Sequence, residues 1–186
     1  MNNKIKEYLI ENIEKTVRYT PESEGTLLGL PYRYTTPCAV GTFKDLYYWD
    51  TYFTNIGLLI WDKTEYAKSN IENMFYLIDK YGFMPNGNRT GFLNRSQPPF
   101  LSQMVRDLYD KTKDIDWLKH AYEELKKEYK FWQTKRMTPN GLNAYTGYEV
   151  LEQNFPNDYH SFLKRTGYKP DCEEGYELYK KIYFAS

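Results

Sequence analysis

An all-α chain built from helical hairpins is the fold class this sequence predicts, on three observations. Apolar residues recur at helical spacing in five segments. Two of those segments match each other at a constant offset of 54 residues, and each runs on into a Pro-Asn-Gly loop. No stretch shows the strict alternation that marks a half-buried strand.

The first helix is read from about Lys4 to Val17, where Ile5, Leu9, Ile13 and Val17 recur every fourth residue. The second runs from about Asp50 to Trp61. Ile56, Leu58, Leu59, Ile60 and Trp61 make it apolar almost all round, which predicts a buried helix. The third, about Thr64 to Lys80, places Ile71, Met74, Phe75 and Ile78 on one face and Lys68, Ser69, Glu72 and Asn73 on the other, the pattern of an outer helix. The fourth opens at Pro98-Pro99, since proline is tolerated in a first turn, and carries a stripe of Leu101, Met104, Val105 and Leu108.

The fifth, from about Asp114 to Lys135, is the most regular. Leu118, Ala121, Tyr122, Leu125, Tyr129 and Trp132 form its apolar stripe; Lys119, Glu123, Glu124, Lys126, Lys127 and Lys130 fill the solvent side. Past Gly141 the pattern weakens, and only Gly175 to Phe184 suggests a further helix.

The repeat aligns Asp62, Ala67, Ile71, Phe75 and Pro85-Asn86-Gly87 with Asp116, Ala121, Leu125, Tyr129 and Pro139-Asn140-Gly141. Each unit is an inner helix, a tight turn near an Asp, an outer helix and a Pro-Asn-Gly loop. A period of this length made of helical hairpins implies an α/α array. All inner helices then start on one side, and the loops leading into them gather there: Thr36 to Trp49, Asn86 to Gln97, and Asn140 to Asp158.

Composition narrows the function classes. Twenty-five basic residues balance 25 acidic ones, so nothing steers the chain towards nucleic acid or an anionic membrane. Mean hydropathy is −0.78 and no apolar run approaches membrane-spanning length. The start, Met-Asn-Asn-Lys-Ile-Lys-Glu, has neither an apolar core nor a small-residue cleavage site, so a cytoplasmic chain is expected. Cys38 and Cys172, and likewise His120 and His160, stand apart in the sequence; neither a disulfide framework, a metal site nor a cofactor is expected. The 20 Tyr, ten Phe and four Trp are far too many for one site, so most of them must be core.

The loop from Pro85 to Pro99 concentrates Asn86, Asn88, Asn94, Arg89 and Arg95, with Gln97 at its end. A loop rich in Asn and Gly can be a plain connector. The same set is also rich in forked donors and suits a neutral polyhydroxylated ligand, a sugar above all. The segment Lys44-Asp45-Leu46-Tyr47-Tyr48-Trp49-Asp50 ends stacked aromatics in an acid at a helix start. Asp50 serves equally as a first-turn acid or as an acceptor for two hydroxyls of a sugar stacked on Trp49.

These two segments resemble trehalase, glycoside hydrolase family 37. Val40 to Phe53 is similar to the family's first signature, which ends in Trp-Asp-x-Tyr-Phe, here Trp49 to Phe53. Pro85-Asn86-Gly87-Asn88-Arg89, continuing through Leu93-Asn94-Arg95-Ser96-Gln97-Pro98-Pro99, looks like its substrate loop. The resemblance is strong over about 37–108 and weaker on both sides. It implies an (α/α)6 toroid, of which residues 1–186 form an incomplete N-terminal half with no second domain, and sugar-binding roles for Phe43, Trp49, Asp50, Asn86, Arg95 and Gln97. Two positions depart from the family pattern. Its arginine after the glycines is Thr42 here, and its Arg-Pro-Glu-Ser-Tyr motif falls on Phe155-Pro156-Asn157-Asp158-Tyr159. A threonine does not replace an arginine fork, so the implied substrate is trehalose or a related small α-glycoside.

Members of the family invert configuration with two carboxylic acids, set about 6.5–9.5 Å apart to admit a water. Both acids belong to motifs expected beyond residue 186, so no catalytic residue is assigned and the chain alone is expected to be inactive. The loop acids within it are Asp45, Asp50, Glu149, Glu152 and Asp158. An open half-toroid leaves an apolar inner face, which a C-terminal half-barrel chain, self-association or a longer gene product is expected to cover. A non-catalytic carbohydrate-binding or regulatory half-barrel is the alternative, and a protein-binding helical repeat stands behind it.

Overall fold

The computed structural model describes residues 3–41, 43–145, 159, 163–164, 166–169 and 172–184. Helix α1 (Asn3–Ile13) leads through a 3-10 turn (Glu14–Thr16) into β1 (Val17–Arg18), which pairs antiparallel with β2 (Tyr34–Thr35). Then follow α2 (Tyr48–Ile60), α3 (Thr64–Tyr81), a 3-10 turn (Thr90–Phe92), α4 (Leu101–Thr112), α5 (Ile115–Thr134) and α6 (Glu173–Phe184). Among the described residues the chain is all-α apart from that two-residue ladder and isolated β-bridges.

Helices α2 and α3 form one hairpin and α4 and α5 the next, with α2 against α4 and α3 against both α4 and α5. Each hairpin turns through a single left-handed residue, Asp62 or Lys113, both at φ 56°. The two turns lie at the same end, where Lys111 pairs with Asp62 at 2.5 Å. At the opposite end the N–H of Leu101 donates to the Tyr48 hydroxyl at 3.2 Å, so the two inner helices start side by side as the repeat predicts.

The core joins Leu28, Leu30 and Leu46 to Ile71, Met74, Leu77 and Ile78 of α3, to Leu101, Met104 and Leu108 of α4, and to Trp117 and Ala121 of α5. A small separate cluster holds Leu163 and Tyr179.

Several boundaries and faces differ from the sequence reading. Helix α1 stops at Ile13, where the chain tightens into the 3-10 turn and β-branched Val17 enters the extended ladder, and Ile5 and Leu9 of its stripe are exposed. Helix α4 starts at Leu101, not at the prolines: Gln97 and Pro98 each precede a proline and are biased away from helix. Helix α2 is buried on one side only, through Tyr48, Thr51, Asn55 and Leu58, while Ile60 is 71% exposed.

On α5 the buried stripe is Trp117, Ala121, Glu124, Glu128 and Trp132, and Tyr122 and Tyr129 face outward. Glu124 can enter that stripe because both its oxygens accept from Lys127 at 2.8 Å.

Asn73, read as a solvent residue, is wholly buried. Its amide donates to the carbonyls of Tyr32 and Arg33 and accepts from the N–H of Tyr32, at 3.1–3.2 Å. One helical turn away, Asn70 accepts from the Thr35 N–H at 2.9 Å and donates to Thr35 Oγ1 and to Asn55 Oδ1. Asparagine side chains thus strap the 32–36 segment onto α3, replacing backbone partners that a loop cannot find for itself.

Candidate functional site

The loop after α3 divides into an inward and an outward half. Asn88 is fully buried. Its Oδ1 accepts from the Leu46 N–H at 2.7 Å and its Nδ2 donates to the Leu28 carbonyl at 2.8 Å. Arg89 forks onto Asp45, Nε to Oδ2 at 2.8 Å and Nη2 to Oδ1 at 2.6 Å, while Nη1 donates to Thr26 Oγ1 at 2.6 Å. Two of the donors that the sequence offers to a ligand are therefore struts. They join the 26–28 and 45–46 segments to the loop, and the Asp45 bond holds the Arg89 guanidinium above its ordinary pKa.

The outward half carries the predicted set. The Asn86 N–H donates to the Arg95 carbonyl at 3.0 Å and the Asn86 carbonyl accepts from the Tyr48 N–H at 3.1 Å. Gln97 bridges the first turn of α2: its Oε1 accepts from the Trp49 N–H at 3.0 Å and its Nε2 donates to Asp50 Oδ2 at 3.4 Å. Arg95 donates through Nε to Asn94 Oδ1 at 2.9 Å and lies 6.0 Å over the Phe92 ring. Phe92 meets Tyr47 at 5.8 Å, and Tyr47 meets Phe43 edge-on at 6.0 Å.

Main-chain bonds at Asn86, the Gln97 bridge and a row of rings thus link the segments that carry Phe43, Trp49, Asp50, Asn86, Arg95 and Gln97. Among the described residues, Phe43 joins the shelf through Tyr47 and Phe92, two rings outside the predicted set. The signal for Tyr47 is its partner Gly87, which pairs with it as a β-bridge. Burial, with Asp45 beside it, pushes the Tyr47 hydroxyl up to about 12, so it is a donor at neutral pH.

Together these groups make an open shelf. Trp49 is 41% and Phe43 56% exposed, two apolar plates bordering a row of amides, a guanidinium and one carboxylate. The third loop reaches the same place, where the Ser96 N–H donates to the Tyr145 carbonyl at 3.0 Å. Thr42, Glu149, Glu152, His160 and the 155–158 stretch lie outside the described residues. Two concavities flank the shelf without containing it. One of about 710 Å3 runs between the ends of α3 and α5, past Phe83, Phe131 and Arg136. The other, of about 560 Å3, lies over Glu128, Tyr129 and Trp132. Among the described residues no group of three or more His, Cys, Asp or Glu comes together to hold a metal, and no helix is long and apolar enough to cross a membrane.

Helical hairpins with an aromatic and amide shelf at the starts of their inner helices define an α/α-array protein. The family model described as Trehalase matches residues 1–182, and the chain belongs to that family. Trehalase from Bombyx mori is 40% identical over 124 residues, 67% of this chain and 21% of that protein. A probable trehalase from Oryza sativa is 44% identical over 110 residues, 59% of this chain and 19% of that protein. A periplasmic trehalase from Xanthomonas campestris is 43% identical over 110 residues, again 59% and 19%. The neutral trehalase Nth1 from Saccharomyces cerevisiae superposes with a TM-score of 0.58 at 30% identity, over 91% of this chain and 32% of that one. The chain therefore spans about a fifth of the length of the curated relatives it matches.

Proposed function

We propose that this chain forms a sugar subsite of a trehalase-like inverting glycoside hydrolase acting on trehalose or a related small α-glycoside. Trp49 and Phe43 offer the plates on which a pyranose stacks. Asn86, Arg95 and Gln97 supply donors, and Asp50 accepts from a pair of hydroxyls. The observation that carries this reading is the Gln97 bridge, which fixes Trp49 and Asp50 relative to the loop and so preorganises a platform and an acceptor.

We further propose that these residues bind without hydrolysing. Of the loop acids among the described residues, Asp45 has both oxygens on Arg89, which leaves Asp50, and inversion needs two. The free thiols Cys38 and Cys172 suit a reducing compartment, and we place the chain in the cytoplasm.

The test is calorimetric titration of the purified chain with trehalose, beside a hydrolysis assay. Binding without turnover is expected, lost in Asn86→Ala and Arg95→Ala with helix content unchanged by circular dichroism. Binding that survives both substitutions overturns the site assignment. Turnover by the chain alone overturns its assignment as a binding half.

A further inference from the structure

Behind the shelf lies a buried pair that the reading above does not use. Tyr48 is fully buried in the first turn of α2, immediately before Trp49 and Asp50. Its hydroxyl donates to Glu128 Oε1 of α5 at 2.5 Å and accepts the N–H of Leu101, the first residue of α4, at 3.2 Å. Leu101 is four residues past Gln97, so this one hydroxyl stands between the two arms of the shelf. A core hydroxyl with a single neutral partner would be ordinary. A carboxyl 5% exposed, anchored to the helix start that bears the site, is not.

We infer that Glu128 and Tyr48 are positioning residues, which touch no ligand and hold the Trp49–Asp50 turn and the Gln97 arm at their working separation. The inference rests on the sugar reading above for its functional meaning, and on hydrogen-bond geometry for its structural one.

Its signature is pH dependence. Burial pushes the Glu128 carboxyl up to about 7, with the Tyr48 hydroxyl and the Trp132 side chain pulling it back down. Among the described residues, Tyr48 from α2 bonds to it, and the titratable and charged groups lining the same concavity are Tyr122, Lys126 and Tyr129 of its own helix and Tyr145 from the following loop. From α4 come the Leu101 N–H and Ser102, neither of which titrates. Near neutrality Glu128 therefore changes charge while Tyr48, held well above its ordinary value, keeps its proton. A charged Glu128 accepts more strongly from Tyr48 than a neutral one, and the change is transmitted to the adjacent turn.

The experiment labels the chain with 5-fluorotryptophan, which gives one fluorine resonance for each of its four tryptophans, assigned by Trp49→Phe. The Trp49 resonance should shift with a midpoint near 7 in the wild type and stay fixed in Glu128→Gln. A Trp49 signal that ignores pH while Trp132 titrates overturns the inference, and this readout involves no sugar. Trehalose titration is the second arm. Tyr48→Phe should weaken binding roughly tenfold, the order expected of a displaced contact, whereas Glu128→Gln should keep at every pH the affinity that the wild type shows below its midpoint near 7, where the carboxyl is protonated. Tyr48→Phe binding at wild-type strength overturns the inference. Failure of the wild type to bind trehalose sinks the sugar reading alone, and the fluorine titration still decides the positioning role.

Discussion

The tripeptide Pro-Asn-Gly occurs twice at the same place in the repeat, and its two copies are held by different forces. The first, Pro85 to Gly87, is packed against its neighbours. The Asn86 carbonyl takes the Tyr48 N–H, and a Cβ on Gly87 would lie 3.1 Å from the Leu46 carbonyl oxygen and 3.3–3.4 Å from the Phe92 and Tyr47 rings. The second, Pro139 to Gly141, folds on itself. Asn140 Oδ1 accepts from Thr138 Oγ1 at 2.5 Å, and Gly141 stands at φ 80° with nothing within 4 Å of its Cβ position. One glycine is there for space and the other for backbone angle. Identical letters at identical spacing do not mean an identical job, and only the packed copy builds the shelf.

The comparison breaks most severely at Arg89, whose fork welds the first loop to Asp45. Arg89→Ala strands a carboxylate that is 2% exposed and should cost about 3–5 kcal/mol in urea unfolding. A loss below about 1 kcal/mol means the fork is not the weld described here.

Glu128 sharpens the contrast, because it ties the first loop's neighbour Tyr48 to α5, the helix leading into the second loop. Its folded pKa is raised from 4.5 to about 7, so the native state holds a proton that the unfolded chain has released. Below 4.5 both states are protonated and there is no effect. From there stability falls with rising pH, by about 3 kcal/mol in all, and levels off above about 7. Glu128→Gln should flatten this slope in unfolding curves taken across that range.

Smaller effects come from the glycines themselves. Gly87→Ala should cost about 2 kcal/mol through overpacking and weaken sugar binding with it. Gly141→Ala should cost about 1 kcal/mol, the penalty for a side chain at positive φ, and leave binding untouched. Equal effects of the two on binding would erase the distinction between the loops.

Much of the fold was legible because helical spacing is a local signal, and both hairpins and the side-by-side inner-helix starts emerged from it. What escaped depends on distant partners. Nothing near Asn88 or Arg89 in sequence says that they turn inward, since their partners Leu46 and Asp45 lie 42 and 44 residues away. On α5 the expected stripe holds for Leu118, Ala121, Leu125 and Trp132 and fails at two tyrosines and two glutamates for a related reason. Tyr122 and Tyr129 are apolar enough for a stripe and polar enough for a surface, while Glu124 and Glu128 enter the core only because Lys127 and Tyr48 receive them. Of the six residues proposed for the shelf, Trp49, Asp50 and Gln97 are in direct contact, Asn86 and Arg95 join through main-chain bonds, and Phe43 joins through Tyr47 and Phe92.

The asparagine straps on α3 set how this molecule breathes. Asn70 and Asn73 grip the 32–36 segment with side chains alone, so the segment can peel away without breaking a single turn of helix. Amide protons of Tyr32 and Thr35, which donate to those asparagines, should exchange with solvent in a separate, lower-energy opening than those in the middle of α3. The 32–36 segment can then open as a local unit, while the 26–30 stretch stays fixed by its core leucines and by Asn88 and Arg89.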